Sequence, residues 1–410
     1  MRIVILSQYF PPEVGAPQNR LYELAVRLQE RGAKVIILTA MPNYPQMVIH
    51  KEYKGRWHVK EQMNGLTVHR SWIYASTSKG IIKRLLNYYS FVISSLFTGL
   101  FRLPKHDYIL VESPPLFLGK TAYLISRLRG SKMIFNVSDL WPESAEKLGI
   151  VTNKTFLSVA TWLEEFLYKK SHLITGQTQG ICKDIQTRFP KKDIFWLPNG
   201  VDMKYYVASD KDMTWRNSHG FAQEDMLLLY AGIIGHAQGL EVILHAAKIL
   251  ETEKNVKFLI LGSGPEREKL IQLKEELQLS NVTFLDAVGK KEMPTIVRSV
   301  DAAVIPLKKL DLFLGAIPSK IFENLAMRKP ILLGVLGEAK ELFIDEGKAG
   351  LAFEPENAED LALKVRQLIS DPEACTRFGN NGYEYVKENF TRDLIAQKFW
   401  DKLQSIHKTK

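Results

Sequence analysis

Val256-Lys257-Phe258-Leu259-Ile260-Leu261 runs directly into Gly262-Ser263-Gly264-Pro265-Glu266. The first six residues form a short apolar run that predicts a buried strand. Gly-x-Gly then turns the chain, and Pro265 suits the first turn of a helix, where a missing N–H costs little. The third glycine of a dinucleotide-binding fingerprint is absent, because Arg267 stands at its place. Outward from this unit the same alternation repeats. Strands are expected at residues 226–231, 282–285, 302–305 and 331–333, and on the N-terminal side at 3–6, 35–38, 108–111, 133–137 and 173–175. Amphipathic segments such as 19–30 and 121–129 separate them. Strand–helix alternation of this kind predicts an α/β fold with parallel sheets covered by helices on both faces.

A chain of 410 residues exceeds one ordinary core, so two domains of about 200 residues each are expected. The pattern breaks at Pro198-Asn199-Gly200-Val201-Asp202 and a polar stretch to Glu224, which predicts a first domain over 1–203 and a second over 204–385. The stretch from Tyr383 to His407 reads as helical, interrupted at Asn389-Phe390-Thr391, and residues 386–410 are expected as a terminal helix that returns to the first domain. The two cysteines, Cys182 and Cys375, provide neither a disulfide framework nor zinc spacing, and suit a reducing cytoplasm. The apolar run at the N-terminus ends at Ser7 and reads as a first strand, not as a signal peptide.

The formal charge is +10, and no acidic residue lies between Gln62 and His106. Within that window Lys79, Lys83, Arg84, Arg102 and Lys105 flank an apolar, aromatic-rich run from Leu85 to Phe97, too short to span a bilayer. Two readings stand open for it: a helix on the surface of an anionic leaflet, or a buried helix with a solvated basic face. No nucleic-acid-binding motif accompanies the charge.

Ligands of open parallel sheets bind at the carboxyl ends of strands. Gly15, in the loop Phe10-Pro11-Pro12-Glu13-Val14-Gly15-Ala16-Pro17, lets a ligand approach a helix start. In Pro318-Ser319-Lys320-Ile321-Phe322-Glu323, a hydroxyl, a cation and free backbone donors at a helix start suit a diphosphate. Glu323 lies one turn further in, where a carboxylate can accept from two vicinal ribose hydroxyls; spacing alone favours a surface Lys–Glu pair on a capped helix.

Pro318-Ser319-Lys320-x-x-Glu323-x-Leu325-Ala326-x-x-Lys329-Pro330-Ile331 resembles the donor signature of the retaining glycosyltransferases of family four, in the GT-B superfamily. The resemblance runs the length of the chain, through Tyr9-Phe10-Pro11-Pro12-Glu13, Asp139-Leu140-Trp141-Pro142-Glu143-Ser144, Pro198-Asn199-Gly200-Val201-Asp202 and Gly232 to Leu240. Asp-Leu-Trp-Pro-Glu-Ser with Ala237-Gln238-Gly239-Leu240 is similar to N-acetylfucosaminyltransferase-like enzymes that build bacterial O-antigens and capsules. The resemblance implies two Rossmann-like domains with sheets facing across a cleft. It implies Glu323 on the donor ribose, Ser319, Lys320, Gly15, Gly235 and Gly262 near the diphosphate, Val288 at the base, and Asp139 on the acceptor side. It further implies a UDP-sugar donor, an N-acetylated amino sugar, a polyprenyl-diphosphate-linked or saccharide acceptor, and a place at the inner face of the plasma membrane.

Three positions depart from the family pattern. Gly315 stands where many members carry the first glutamate of Glu-x7-Glu, and Gly232 and Gln238 where many carry an arginine and a lysine. Lys320 is then expected to supply the missing charge; His236 either assists it or is an ordinary loop residue. Transfer with retention needs positioning and charge stabilisation of the leaving diphosphate, without a hydrolase-style carboxylate pair. Glu13 and Asp139 are both candidates to accept the acceptor's proton. Asp210 and Asp212 read as solvated surface, and neither a cofactor nor an essential metal is expected. Three other readings remain open: a redox enzyme, a non-catalytic nucleotide-sugar-binding subunit, and a GT-B-shaped epimerase.

Overall fold

The computed structural model describes every residue except Val14, Pro45, residues 78–80, Ile150, Pro372, Thr409 and Lys410, and leaves undescribed the side chains of Ala16, Ile81, Ile82 and Arg84. Lys79, the Arg84 side chain and Val14 of the first loop therefore lie outside the described residues. The chain divides into two compact units, residues 1–199 with 392–410, and residues 200–391.

Unit 1 carries β1 (Arg2–Leu6), β2 (Lys34–Ala40), β3 (His58–Met63), β4 (Leu66–Ser71), β5 (Tyr108–Ser113), β6 (Lys132–Val137), β7 (Leu173–Gly176) and β8 (Ile194–Trp196). They form one sheet in the order β3-β4-β2-β1-β5-β6-β7-β8. All pairings are parallel except β3 with β4. Helices are α1 (Ala16–Glu30), α2 (Ile81–Phe101), α3 (Leu118–Arg129), α4 (Glu143–Lys147), α5 (Lys154–Lys170) and α6 (Gln179–Arg188). Side chains of β1 alternate between faces, as a strand requires. Ile3 and Ile5 join the core under α1 and the C-terminal helix, whereas Val4 and Leu6 join the core under α2, α3 and α5. The antiparallel hairpin β3–β4 turns at Asn64 (φ 46°) and Gly65 (φ 81°), the left-handed pair that a two-residue hairpin loop demands.

Unit 2 carries β9 (Met226–Ala231), β10 (Val256–Leu261), β11 (Val282–Leu285), β12 (Ala302–Pro306), β13 (Ile331–Gly334) and β14 (Gly350–Ala352), a parallel sheet in the order β11-β10-β9-β12-β13-β14. Its helices are α7 (Met213–Ser218), α8 (Glu241–Ile249), α9 (Arg267–Glu276), α10 (Met293–Ser299), α11 (Lys320–Ala326), α12 (Glu338–Lys340), α13 (Ala358–Ser370) and α14 (Ala374–Asn389). The expected boundaries at 203 and 385 move to 199 and 391, for a hydrogen-bonding reason. Val201 N–H donates to Phe390 O at 3.0 Å, and Val201 bridges Thr391, which holds both segments in unit 2. Arg392 turns the other way, bonding Asn199 Oδ1 at 2.6 Å and Glu23 at 2.9 Å. The helix that follows, Arg392–Lys408, lies on α1 through Arg27–Asp393 at 3.2 Å and buries Phe399 and Leu403.

The polar stretch after Asp202 is not a bare linker. Asp212, expected as solvated surface, caps α7 by accepting from Trp215 N–H at 3.0 Å and pairs with Arg298. Asp210 remains exposed. Arg216 on α7 is fully buried, bonded to Asp301 at 3.2 Å, to Ser299 O at 3.3 Å and to Ala222 O at 2.9 Å. Removing one partner of a buried ion pair leaves the other charge and its acceptors poorly satisfied. Arg216→Met is expected to destabilise unit 2 by about 3 kcal/mol, seen as a lowered midpoint in urea unfolding. An unchanged midpoint would mean that Lys211, the other partner of Asp301, suffices alone.

Candidate active site

In unit 2 the loops after β9 and β10 lie backbone against backbone. Gly232 N–H donates to Leu261 O at 2.9 Å, Ile234 N–H to Ser263 O at 2.9 Å, and Glu266 N–H to Ile234 O at 3.1 Å. A Cβ on Gly262 (φ 147°) would stand 1.8 Å from Gly232 O, and one on Gly264 (φ 159°) 2.2 Å from Ile234 O. Gly-x-Gly is thus required by the neighbouring loop; Gly262 owes its identity to that contact.

Gly232 in turn opens a seat for a cation. The Lys320 ammonium lies 3.7 Å from the centre of the Tyr230 ring, and a Cβ on Gly232 would come within 3.0 Å of Nζ. Tyr230 is held in place by its hydroxyl, which donates to Ile233 O at 2.5 Å. Burial pushes the Lys320 amine down to about 7, against the upward pull of Glu323. No carboxylate lies within ion-pair distance of it among the described residues. A desolvated cation on an aromatic face beside a helix start is poised for an anion brought by a ligand.

Around this seat the structure gathers Glu323, half-buried one turn into α11, and Ser319, whose hydroxyl makes no capping bond. Tyr205 belongs to the same group: the Glu323 charge and burial both raise its pKa. Its hydroxyl is buried without a hydrogen-bond partner, and Lys290 Nζ sits 5.0 Å from its ring centre. Lys290 follows Val288 and Gly289, the half-buried and exposed loop residues after β11. Tyr230, Tyr205 and Lys290 were not among the sequence candidates. The signal for Tyr230 is a phenol near the end of a fully apolar strand, which needs a partner for its hydroxyl. Gly235 is extended, at the start of the short turn 236–238. His236 is largely exposed, and its Nδ1 lies 3.1 Å from Glu266, so it reads as a surface loop residue.

In unit 1 the first loop is tied down from several sides. Glu13 is buried and accepts from Asn43 N–H and Tyr44 N–H at 2.8 Å each and from Phe10 N–H at 3.2 Å. Burial raises its pKa while those three N–H groups oppose the shift. Both oxygens accept from backbone N–H groups, so Glu13 clamps the loop, and those bonds compete with the proton-accepting role expected of it. Fully buried Arg70 adds a bond to Pro11 O at 2.6 Å and to Glu61 at 2.6 Å. Gly15 begins α1 with φ 171°, an extended conformation open to any residue. A Cβ there would meet only the flexible Gln18 amide, so what the glycine gives is a bare helix start.

Further along the sheet's carboxyl edge lies a buried network that sequence reading missed. Arg20 of α1 bonds Glu112 at 2.6 Å, Ser138 Oγ at 2.7 Å and Gln177 at 3.1 Å; Asn136 bonds Glu112 at 2.5 Å and Thr175 at 2.6 Å. One loop away, Asp139 is half-buried and accepts from Ser144 Oγ at 2.8 Å. Burial raises its pKa, against that hydroxyl and the Leu140 N–H. A carboxylate so shifted is a better proton acceptor near neutral pH than a solvated one. Among the described residues no group of three or more His, Cys, Asp or Glu side chains is placed to hold a metal ion.

Two α/β units, each built on a largely parallel sheet with helices on its faces, define a GT-B architecture. Residues 15–200 match the glycosyl transferase 4-like domain, and residues 211–385 match the glycosyl transferases group 1 family. The chain belongs to the group 1 glycosyltransferases. The putative colanic acid biosynthesis glycosyl transferase WcaI of Escherichia coli (strain K12) is 25% identical over 413 residues, covering 97% of this chain and 98% of that protein. Sucrose-phosphate synthase from Thermosynechococcus elongatus shares the GT-B fold at a TM-score of 0.79 and 16% identity, each chain covered fully. Anabaena HepE in complex with UDP and glucose gives 0.73 and 16%, over 99% of this chain and 100% of that one.

Glu13→Gln retains one acceptor oxygen and leaves a backbone N–H orphaned, so it is expected to cost about 1–3 kcal/mol in thermal melting while leaving nucleotide affinity intact. An unchanged melting point with a collapsed transfer rate would return Glu13 to the chemistry.

Proposed function

We propose that this glycosyltransferase moves an N-acetylated amino sugar from a UDP donor, with retention, to a lipid-linked or saccharide acceptor in bacterial surface polysaccharide synthesis. The observation that carries the reading is the Lys320 ammonium seated on Tyr230 where Gly232 makes room, with Glu323 one turn away. The colanic acid relative supports the polysaccharide role, and UDP in the HepE structure supports the nucleotide. N-acetylfucosamine-like sugars are the donors to try first, from the motif resemblance in Asp139–Ser144.

In this reading Glu323 accepts from the two ribose hydroxyls, the loop at Val288 receives the base, and Lys320 with the Ser319 hydroxyl binds the diphosphate. Lys290 and Tyr205 border the base and ribose. As the glycosidic C–O bond lengthens, positive charge spreads over the sugar ring and negative charge over the departing diphosphate. The protonated Lys320 stabilises that negative charge, which takes the place of a metal ion and of the cation that Gly232 replaces. The acceptor hydroxyl attacks from the face the nucleotide leaves. In unit 1 the proposed reactant-facing positions are Gly15 and Asp139, and Asp139 takes the acceptor's proton. The protein works at the inner face of the plasma membrane, on an anionic leaflet.

The test is calorimetric titration with UDP, GDP and ADP. UDP is expected to bind selectively, and Glu323→Ala and Lys320→Ala each to weaken it by about tenfold or more, the scale of one charge-assisted contact. Binding untouched by both substitutions would overturn the donor site. The pH dependence is signed. Free Lys320 titrates at about 7, and a bound diphosphate favours its charged form, so above pH 7 binding takes up a proton. Between pH 7 and 9, where UDP is fully ionised, affinity is expected to fall by up to about tenfold per pH unit. Lys320→Arg should flatten the profile, because a guanidinium stays charged. A wild-type profile already flat would mean that Lys320 does not meet the phosphates.

A further inference from the structure

Helix α2 carries apolar side chains outward as well as inward. Its inner side buries Phe91 together with the polar Asn87, Ser94, Ser95 and Thr98, and Val92, Leu96 and Leu100 pack partly buried against the core. These polar groups are satisfied internally: Asn87 by Gln8 and Tyr74 O, Thr98 by Ser71 Oγ at 2.7 Å, and Ser95 by Phe91 O at 2.5 Å. Its outer side carries Leu86, Tyr89, Ile93, Phe97 and Phe101, spaced by three or four residues and 39–75% exposed. A water-facing helix shows the reverse pattern.

The apolar surface does not stop at α2. Thr121 of α3 bonds Val92 O at 2.9 Å, and a Cβ on Gly99 would strike Ile125 at 2.2 Å, so α2 and α3 touch closely. Tyr123 of α3 meets Phe166 of α5 edge-on, ring centres 5.0 Å apart. Across these neighbours the outer faces continue with Leu124 and Leu128 on α3, and Val159 and Trp162 on α5, at 40–68% exposure. Lone exposed apolar residues need no explanation, but a contiguous patch over three helices does.

The charges around it have one sign. Neither α2 nor α3 contains an acidic residue, and Lys83, Arg102, Lys105, Lys120, Arg127 and Lys154 stand exposed about the patch. On α5, Glu164 is buried against Arg188 at 2.7 Å and Glu165 pairs with Lys169 at 3.1 Å. A second copy of the chain would bring the same basic rim against this one and be repelled. An anionic lipid surface offers the complementary charge and an apolar layer beneath it. None of the described helices is long and apolar enough to cross a membrane. We propose that the outer faces of α2, α3 and α5 form a single lipid-seating surface, inserted at the boundary between headgroups and acyl chains of an anionic leaflet. The inference rests on the lipid-linked acceptor reading above, and it assigns the seat to insertion by three helices, where charge alone would only hold the protein near the surface.

The experiment is flotation of the full chain with phosphatidylcholine vesicles, with and without about one third phosphatidylglycerol, at low and high salt. Wild type is expected to float with the anionic vesicles and to keep a measurable fraction bound in about 0.5 M salt, since only the Coulomb part is screened. Phe97→Ser with Phe101→Ser, and separately Trp162→Ser, should each lower partitioning by about tenfold, with unchanged circular dichroism. Brominated lipid should quench wild-type tryptophan fluorescence more than that of Trp162→Phe. Equal flotation of the serine variants and wild type would overturn the insertion, as would complete release by salt. A concentration-dependent dimer that the same substitutions abolish, without vesicle binding, would assign the surface to a second copy and also overturn it. UDP titration of the same preparations separates the two readings: a chain that binds UDP but not vesicles loses only the leaflet seat, and one that binds vesicles but not UDP loses only the donor site.

Discussion

Two carbonyl oxygens, those of Gly232 and Ile234, press against the α-carbons of Gly262 and Gly264, and unit 2 is organised around that contact. Side chains at either glycine would drive the loops after β9 and β10 apart by more than rotamer changes could absorb, because the obstacle is backbone. Once the loops are locked together, Gly232 is fixed where its missing side chain leaves an opening. Lys320 fills it from the far side, from a helix that comes some ninety residues later in the chain. The consequence is electrostatic. An ammonium held on a phenol ring, with no ion-pair partner among the described residues, has given up hydration for a modest cation–π attraction, and in the proposed reading an arriving diphosphate recovers the difference. A glycine that seems to subtract a cation from the family pattern thereby determines where another cation sits.

Unit 1 solves a different problem with buried charge. Its loops at the sheet's carboxyl edge are rich in proline, with Pro11, Pro12, Pro42, Pro114, Pro115 and Pro142, and carboxylates and guanidinium groups add directional bonds to apolar anchors such as Phe10 and Met41. Glu13 satisfies three backbone N–H groups at once, Arg70 reaches Pro11 O, and Arg20 joins the ends of β5, β6 and β7 through Glu112, Asn136, Ser138 and Gln177. Buried ion pairs of this kind add little net stability compared with apolar packing, since desolvation offsets most of the attraction. What they supply is directional restraint. Asp139, next to that network and restrained by Ser144, is the carboxylate left half-exposed, and its pKa is raised by burial without being consumed by a cation.

How far the sequence could be read depended on where each element lies in its sheet. Central strands such as β1, β5, β9 and β10 are buried on both faces and appear as unbroken apolar runs, which no helix period imitates over so few residues. Four strands escaped notice: three at edges, β3, whose His-Val-Lys-Glu-Gln-Met is half polar, and the three-residue β8 and β14, and one inside the sheet, β4, whose Leu-Thr-Val-His-Arg-Ser buries polar side chains. Asn64-Gly65 was a usable hairpin signal for β3 and β4. At the site, Ser319, Lys320 and Glu323 were legible because they share one turn of helix, and their meaning came from resemblance. Tyr230, Tyr205 and Lys290 were not, because only the parallel crossovers bring three distant loops to one place. The loop-clamping bonds of Glu13 were hidden for a related reason: a glutamate beside prolines in a first loop looks available until the fold supplies Asn43 and Tyr44 as its partners.

The same reasoning bears on the two readings of the basic, apolar segment. Hydropathy averaged along α2 gives a mixed helix, compatible with either burial or a membrane surface. Position by position, the inner side sets hydrogen-bonded polar groups around buried Phe91, while the outer side, Leu86, Tyr89, Ile93, Phe97 and Phe101, is wholly apolar or aromatic. Burying hydroxyls while exposing phenylalanine is unfavourable in water on both counts, unless the outward side meets something apolar. A transferase acting on a saccharide carried by a lipid needs its acceptor-side unit close to the plane where that lipid is anchored. In the proposed seating, basic rim residues would bring the unit to an anionic surface, and the apolar face would limit how far it can rotate or lift away. Positioning of the acceptor would then fall partly to the membrane, which lessens the need for acceptor contacts within the protein itself.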